Sequence, residues 1–136
     1  SGDAREKLGD LFVEALKKRD PGADDEAVQK EQARPMRSPL VIVACTKVSH
    51  EKDNVPKVEQ IVATAAAVQN MMNAAHARGF GSFLATGKNA RDPHVKAAFD
   101  LTDDDEIIGF VYFGTPRRGA MEKPRPDASG FVSNWT

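Results

Sequence analysis

From Pro56 to Arg78 the sequence contains no glycine and no second proline. That leaves roughly 23 residues free to form one helix, about 35 Å long at 1.5 Å per residue. Pro56 stands where proline is tolerated in a first helical turn, and Gly79 stands where a helix C-cap favours glycine. Such a helix is the spine of a 136-residue chain, and everything else must pack around it. Its apolar positions, Val58, Ile61, Val62, Ala65, Ala66, Val68, Met71, Met72, Ala74 and Ala75, spread around more than one face, which predicts burial from several sides. Ala63 to Ala67, interrupted only by Thr64, let another backbone come close. Two readings account for that collar: core packing inside one domain, or a subunit interface along the same helix. The second is favoured because the core is thin. Leu, Ile, Val and Phe make 29 of 136 residues, about 21%, barely above the ~20% level below which chains tend toward disorder.

The remaining elements follow from periodicity and punctuation. Leu8, Leu11, Phe12, Ala15 and Leu16 mark one face of an amphipathic helix over Ala4 to Arg19, stopped by Asp20-Pro21-Gly22. A second, weakly held helix is expected from Ala23 to Met36, with only Ala27, Val28 and Ala33 to bury. The β-branched run Leu40 to Cys45 reads as a strand buried on both faces. Gly79 to Gly87 reads as a short strand bracketed by glycines that permit close approach of backbone to a partner or a flat ligand, followed by a cationic loop from Lys88 to Arg91. Asp92 and Pro93 open a short helix reaching Phe99, with Val95, Ala98 and Phe99 inward. Ile107 to Phe113 is a further buried strand. Beyond Arg117 the chain is polar until Phe131, Val132 and Trp135, an apolar ending expected of an arm that docks somewhere.

Composition excludes several classes of function. Nineteen Lys and Arg against twenty Asp and Glu leave a formal charge of −1 with no basic half, so a nucleic-acid partner is not expected. No apolar run reaches the ~18 residues of a membrane span and no signal peptide is visible, so a soluble, cytoplasmic protein is expected. Cys45, alone, can make neither an internal disulfide nor a multi-thiolate metal site; within Val41-Ile42-Val43-Ala44-Cys45 it reads as a small buried hydrophobe. His50 beside Glu51 has no second histidine at ligand spacing, so no metal is expected. His76 reads as an interior or boundary side chain, and His94 as solvent-facing. No serine stands in a nucleophile elbow and no carboxylate pair has an apolar pocket, so any catalysis would be carried by a cofactor.

Read in order, several segments resemble the flavin-dependent nitroreductase family, in its small single-domain NAD(P)H form. They are Ser38-Pro39-Leu40-Val41-Ile42-Val43, His50-Glu51-Lys52, Val55-Pro56-Lys57-Val58-Glu59-Gln60, Ala65-Ala66-Ala67-Val68-Gln69-Asn70-Met71 and Ala74-Ala75-His76-Ala77-Arg78-Gly79-Phe80-Gly81. Thr86-Gly87, Asp92-Pro93-His94-Val95 and Ile108-Gly109-Phe110-Val111-Tyr112-Phe113-Gly114-Thr115-Pro116 continue the series.

The resemblance implies an α+β fold, a mixed central sheet flanked by helices, with the long helix at a homodimer interface and FMN held between subunits. It also implies hydride transfer from NADH or NADPH through the flavin to an electron-poor small molecule such as a nitroaromatic or a quinone, with no catalytic side chain needed. By the same resemblance Leu84, Ala85 and Thr86 match a flavin-contacting segment that is typically Trp-Arg-Ser, so a tryptophan and an arginine are replaced and the hydroxyl is kept. Gly87 would allow close approach. Ala74, Ala75, His76, Ala77, Arg78 and Gly79 match a segment assigned nicotinamide-dinucleotide contacts in some relatives. The family's opening Arg-Arg-Ser-type helix and first strand have no counterpart, so residues 1–136 are expected to form a single domain lacking those pieces. The cations left for a flavin phosphate are Lys88, Arg91, Arg117, Arg118 and Arg125, with Arg125 preferred. A non-catalytic protein holding flavin or another planar ligand on the same fold, or an inactive fragment, remain open as alternatives.

Overall fold

The helical spacing of Leu8, Phe12 and Ala15 gives helix α1 (Asp3–Arg19) an inward stripe, and all three side chains are buried. The computed structural model describes residues 2–51, 54–117, 119 and 124–135. Helix α2 (Asp25–Ala33) begins where Asp24 Oδ1 accepts a hydrogen bond from the Ala27 amide at 2.8 Å. It buries none of its own residues, and it stops short of Met36. Pro35 lacks the amide that would continue the ladder, and the chain tightens into a 3-10 turn over Arg34–Arg37.

Three strands follow the β-branched and aromatic runs: β1 (Leu40–Thr46), β2 (Gly81–Ala85) and β3 (Glu106–Gly114). Their order is β1-β3-β2, and both pairings are antiparallel, with Leu40 opposite Phe113 and Gly81 opposite Gly114. The mixed character implied by the resemblance is therefore not expressed among the described strands. β3 is central, and Ile107, Phe110, Val111, Tyr112 and Phe113 are buried. β1, expected to be buried on both faces, is an edge strand: only Ala44 and Thr46 are buried, because a single neighbour and partial helix cover leave Leu40 to Val43 accessible.

Alternation along the strands divides the core. On one face Phe110 and Tyr112, with Val41, Val43, Cys45 and Ala85, pack under Leu8, Phe12 and Ala15 of α1; the Phe12 and Phe110 rings meet edge to face at 4.9 Å. On the other face Ile42, Ala44, Leu84, Val111 and Phe113 pack under helix α3 (Lys57–Ala77). The spine helix thus exists over nearly the expected span, but it is not buried from several sides within this chain. One stripe, centred on Val68 with Met71, Met72 and Ala75, covers the sheet, while Val58 and Val62 remain 62% and 60% exposed.

Asp92 caps helix α4 (Pro93–Ala97), accepting from the amides of His94 at 2.9 Å and Val95 at 3.3 Å. Val95 is inward as expected and Phe99 is half-buried, but Ala98 lies on the surface because α4 ends at Ala97. Phe131, Val132 and Trp135 are exposed, so among the described residues the apolar ending docks on no part of this chain. Among the described residues no helix is long and apolar enough to cross a membrane. The architecture is α+β, helices against both faces of a small sheet.

Candidate functional site

Strand alternation and the C-terminal end of α1 together create an open groove on the α1 face. Its larger part, about 600 Å³, runs beside Phe83, Tyr112 and the 3-10 turn bearing Arg34 and Arg37. A smaller part, about 300 Å³, continues past Ala85, Thr86, Gly87 and Lys88 toward Phe12 and Leu16. Arg34, Ala85 and Tyr112 border both. Burial raises the Tyr112 phenol above its usual pKa, opposed by the nearby guanidiniums of Arg37 and Arg34 and aided by Glu31. The side chain is therefore a neutral hydrogen-bond donor and acceptor at physiological pH.

The loop after β2 is shaped by its own sequence and fixed by distant groups. Gly87 has φ +82° and ψ −163°, a backbone region essentially restricted to glycine, and no atom lies within 4 Å of where a Cβ would stand. The main chain is bare at that point. Behind it, Asn89 and Asp92 are buried. Arg19 donates to Asp92 Oδ2 and, at 2.9 Å, to Asn89 Oδ1; Asn89 Nδ2 donates to Glu31 Oε2 at 2.8 Å. Arg34 Nε lies 2.8 Å from Glu31 Oε1. This chain of charges ties α1, α2 and the 3-10 turn of Lys88–Arg91 into one unit, and within it the buried side chains of Asn89 and Asp92 find their partners.

Of the residues singled out from sequence, Ala85, Thr86 and Gly87 come together on the groove. Leu84 does not present its side chain there. One residue away on the strand, it points to the α3 face, where Gly109 makes room: a Cβ on Gly109 would lie 2.6 Å from Leu84 Cδ1. Among the proposed cations, Lys88 and Arg117 border the groove. Arg125, the preferred one, lies exposed in the tail and borders neither part, and Arg91 is exposed as well; Arg118 falls outside the described residues.

The segment Ala74 to Gly79 lies elsewhere. Ala74, Ala75 and Arg78 edge an apolar depression of about 400 Å³ on the α3 face, near the start of β2, whereas Thr86 and Gly87 follow its end. His76, Ala77 and Gly79 are exposed. His76 is thus a surface residue and not an interior one. His94 also differs from expectation: it is half-buried, with Nε2 2.7 Å from Glu14 Oε2 and Nδ1 2.8 Å from Lys18 Nζ. Sequence reasoning missed Arg19, Arg34, Arg37 and Tyr112, which reach the groove from three separate segments.

The scaffold is antiparallel and α+β, with a cationic, aromatic groove beside a bare glycine turn. Its kinship is visible by comparison. A profile of the Nitroreductase family matches residues 1–115. The Escherichia coli (strain K12) protein named "Putative NAD(P)H nitroreductase YdjA" is 38% identical over 113 residues, 82% of this chain and 61% of its own length. A Haemophilus influenzae protein named "Putative NAD(P)H nitroreductase" is 29% identical over 128 residues, 93% of this chain and 68% of its own length. The crystal structure of a nitroreductase-like family protein from Bacillus cereus superimposes with a TM-score of 0.81 at 21% identity, covering 98% of this chain and 69% of that one. Nitroreductase A from Vibrio parahaemolyticus gives 0.64 at 18% identity, covering 93% and 53%. The chain belongs to the nitroreductase family. It spans about three fifths of the length of its Escherichia coli relative.

Proposed function

We propose that this protein is an FMN-dependent oxidoreductase that passes hydride from NADH or NADPH through the flavin to an electron-poor acceptor, a nitroaromatic or a quinone. The observation that carries this reading is the bare backbone at Gly87, bordered by Ala85, Phe110 and Tyr112, where a flat heteroaromatic ring can lie against main chain and apolar wall with no Cβ in its way. FMN bound there supplies the hydride-accepting chemistry. The chain's own groups do the rest. Thr86 and Gly87 offer polar main chain to a ring edge, Phe110 and Tyr112 exclude water from one side, and Lys88 and Arg34 stand ready for a phosphate. With Leu84 turned away, its role is packing, and the flavin-facing share of the matched segment falls to Ala85 and Thr86.

The nicotinamide segment proposed over Ala74 to Gly79 lies on the opposite face of the sheet and at the other end of β2. Hydride transfer needs reacting atoms within about 3.5 Å, so a dinucleotide held there serves a flavin at Gly87 only across a subunit boundary. This agrees with the homodimer we infer from the exposed Val58, Val62 and alanine face of α3. Purified protein examined for bound FMN, then titrated anaerobically with NADH and NADPH, tests the proposal. Bleaching of the flavin absorbance by either supports it. Protein that takes up no FMN overturns it, and flavin bound but reduced by neither nucleotide supports the non-catalytic alternative.

A further inference from the structure

The larger part of the groove has a charge pattern that the chain as a whole lacks. Of its thirteen lining residues three are arginines, Arg34, Arg37 and Arg117, and none is Asp or Glu, in a chain whose acids outnumber its bases by one. Arg34 is engaged by Glu31, but among the described residues neither Arg37 nor Arg117 forms an ion pair. The same part of the groove carries aromatic surface. The Phe83 ring is 64% exposed, and its centroid lies 6.5 Å from that of Tyr112 with the planes 50° apart. Guanidinium groups bind carboxylates through two parallel N–H donors and leave little for a neutral ring substituent to gain.

We propose that this groove selects nitroaromatic or quinone acceptors that carry a ring carboxylate, Arg37 and Arg117 binding the carboxylate while the ring that is reduced lies against Phe83 and Tyr112. The inference rests on the oxidoreductase reading for its redox role but not for binding; Thr86 and Gly87 border only the adjoining smaller part, whereas Ala85, Tyr112 and Arg34 border both and bring the two ligands side by side.

The test compares 4-nitrobenzoate with the neutral 4-nitrobenzamide, by calorimetric titration into the purified protein and as acceptors in turnover. The acid is expected to bind about tenfold more tightly at low salt, and the preference shrinks as ionic strength rises. Arg37→Gln or Arg117→Gln, each checked for an unchanged thermal melt, removes most of that preference, and with it the difference in KM. Equal binding of acid and amide by the parent protein overturns the proposal. So does Arg37→Gln weakening FMN but not riboflavin while the acid preference stays intact, which would give the arginine to the cofactor phosphate. A colourless protein that still prefers the acid upholds the groove and overturns only the redox reading.

Discussion

Arg19, the last residue of α1, donates to Asn89 Oδ1 at 2.9 Å across 70 positions of sequence, and its other terminal nitrogen holds the buried carboxylate of Asp92. One side chain therefore sets both the cap of α4 and the base of the loop that carries Thr86 and Gly87. Replacing it strands a buried charge.

Arg19→Met is accordingly expected to cost about 3 kcal/mol, since Asp92 keeps its two amide donors but loses its cation. Urea denaturation of the parent and the variant measures this. A difference below about 0.5 kcal/mol, the range of an ordinary surface substitution, would show that the network contributes nothing.

Gly109→Ala tests why Leu84 faces away from the groove. The new methyl would stand 2.6 Å from Leu84 Cδ1 and 2.7 Å from the Ala85 carbonyl oxygen. The leucine tip can rotate, but the carbonyl is held by the β2–β3 pairing, so β2 must shift. A loss of about 1–3 kcal/mol is expected from overpacking of this kind, together with altered ligand binding at Ala85. An unchanged melting curve contradicts the close approach.

At Gly87 the demand is conformational. Alanine there meets no atom within 4 Å, yet its φ of +82° is one that side chains avoid. Gly87→Ala should cost about 1–3 kcal/mol of stability or distort the loop, and it should weaken FMN uptake more than it weakens binding of the aromatic acid. Fluorescence titration with FMN distinguishes the two effects, and full FMN affinity in a stable variant refutes the assignment of the cradle.

Asp105 provides a pH-dependent test. Its carboxylate accepts from the Thr102 amide at 2.8 Å, the Val48 amide at 2.7 Å and the Thr102 hydroxyl at 2.9 Å, and these donors, the backbone ones first, hold its pKa below the usual carboxylate value. A pKa lowered by folding stabilises the native state above the unfolded value of about 3.9, and the contribution fades as pH falls through the native pKa. Asp105→Asn should therefore melt below the parent at pH 7, with the gap closing toward pH 2. A gap independent of pH assigns the loss to something other than the charge.

The exposed face of α3 yields the last prediction. Val62→Glu places a charge on a position 60% exposed in the single chain, so it should leave the monomer fold intact. If that face is a subunit interface, light scattering finds the variant shifted toward monomer mass while the parent is dimeric. A monomeric parent removes the interface.

Much of this molecule is legible from local sequence. Pro56 and Gly79 bound the spine helix, Asp92 caps the short helix that Pro93 opens, and the three β-branched or glycine-bracketed runs are the three strands, because caps, breakers and periodicity act over a few residues. What faces what was decided only by the tertiary structure. Leu84 and Ala85 are adjacent in sequence and lie on opposite sides of the sheet, a consequence of strand alternation once the register with Val111 and Phe110 is set. Arg19, Arg34 and Arg37 carry no motif, yet packing of α1 and the turn after α2 brings them to one groove with Tyr112, while Arg125, favoured by resemblance, stays in the tail. Propensity is local and therefore readable along the chain. Convergence of charge is not, because it depends on which distant surfaces meet when the core closes.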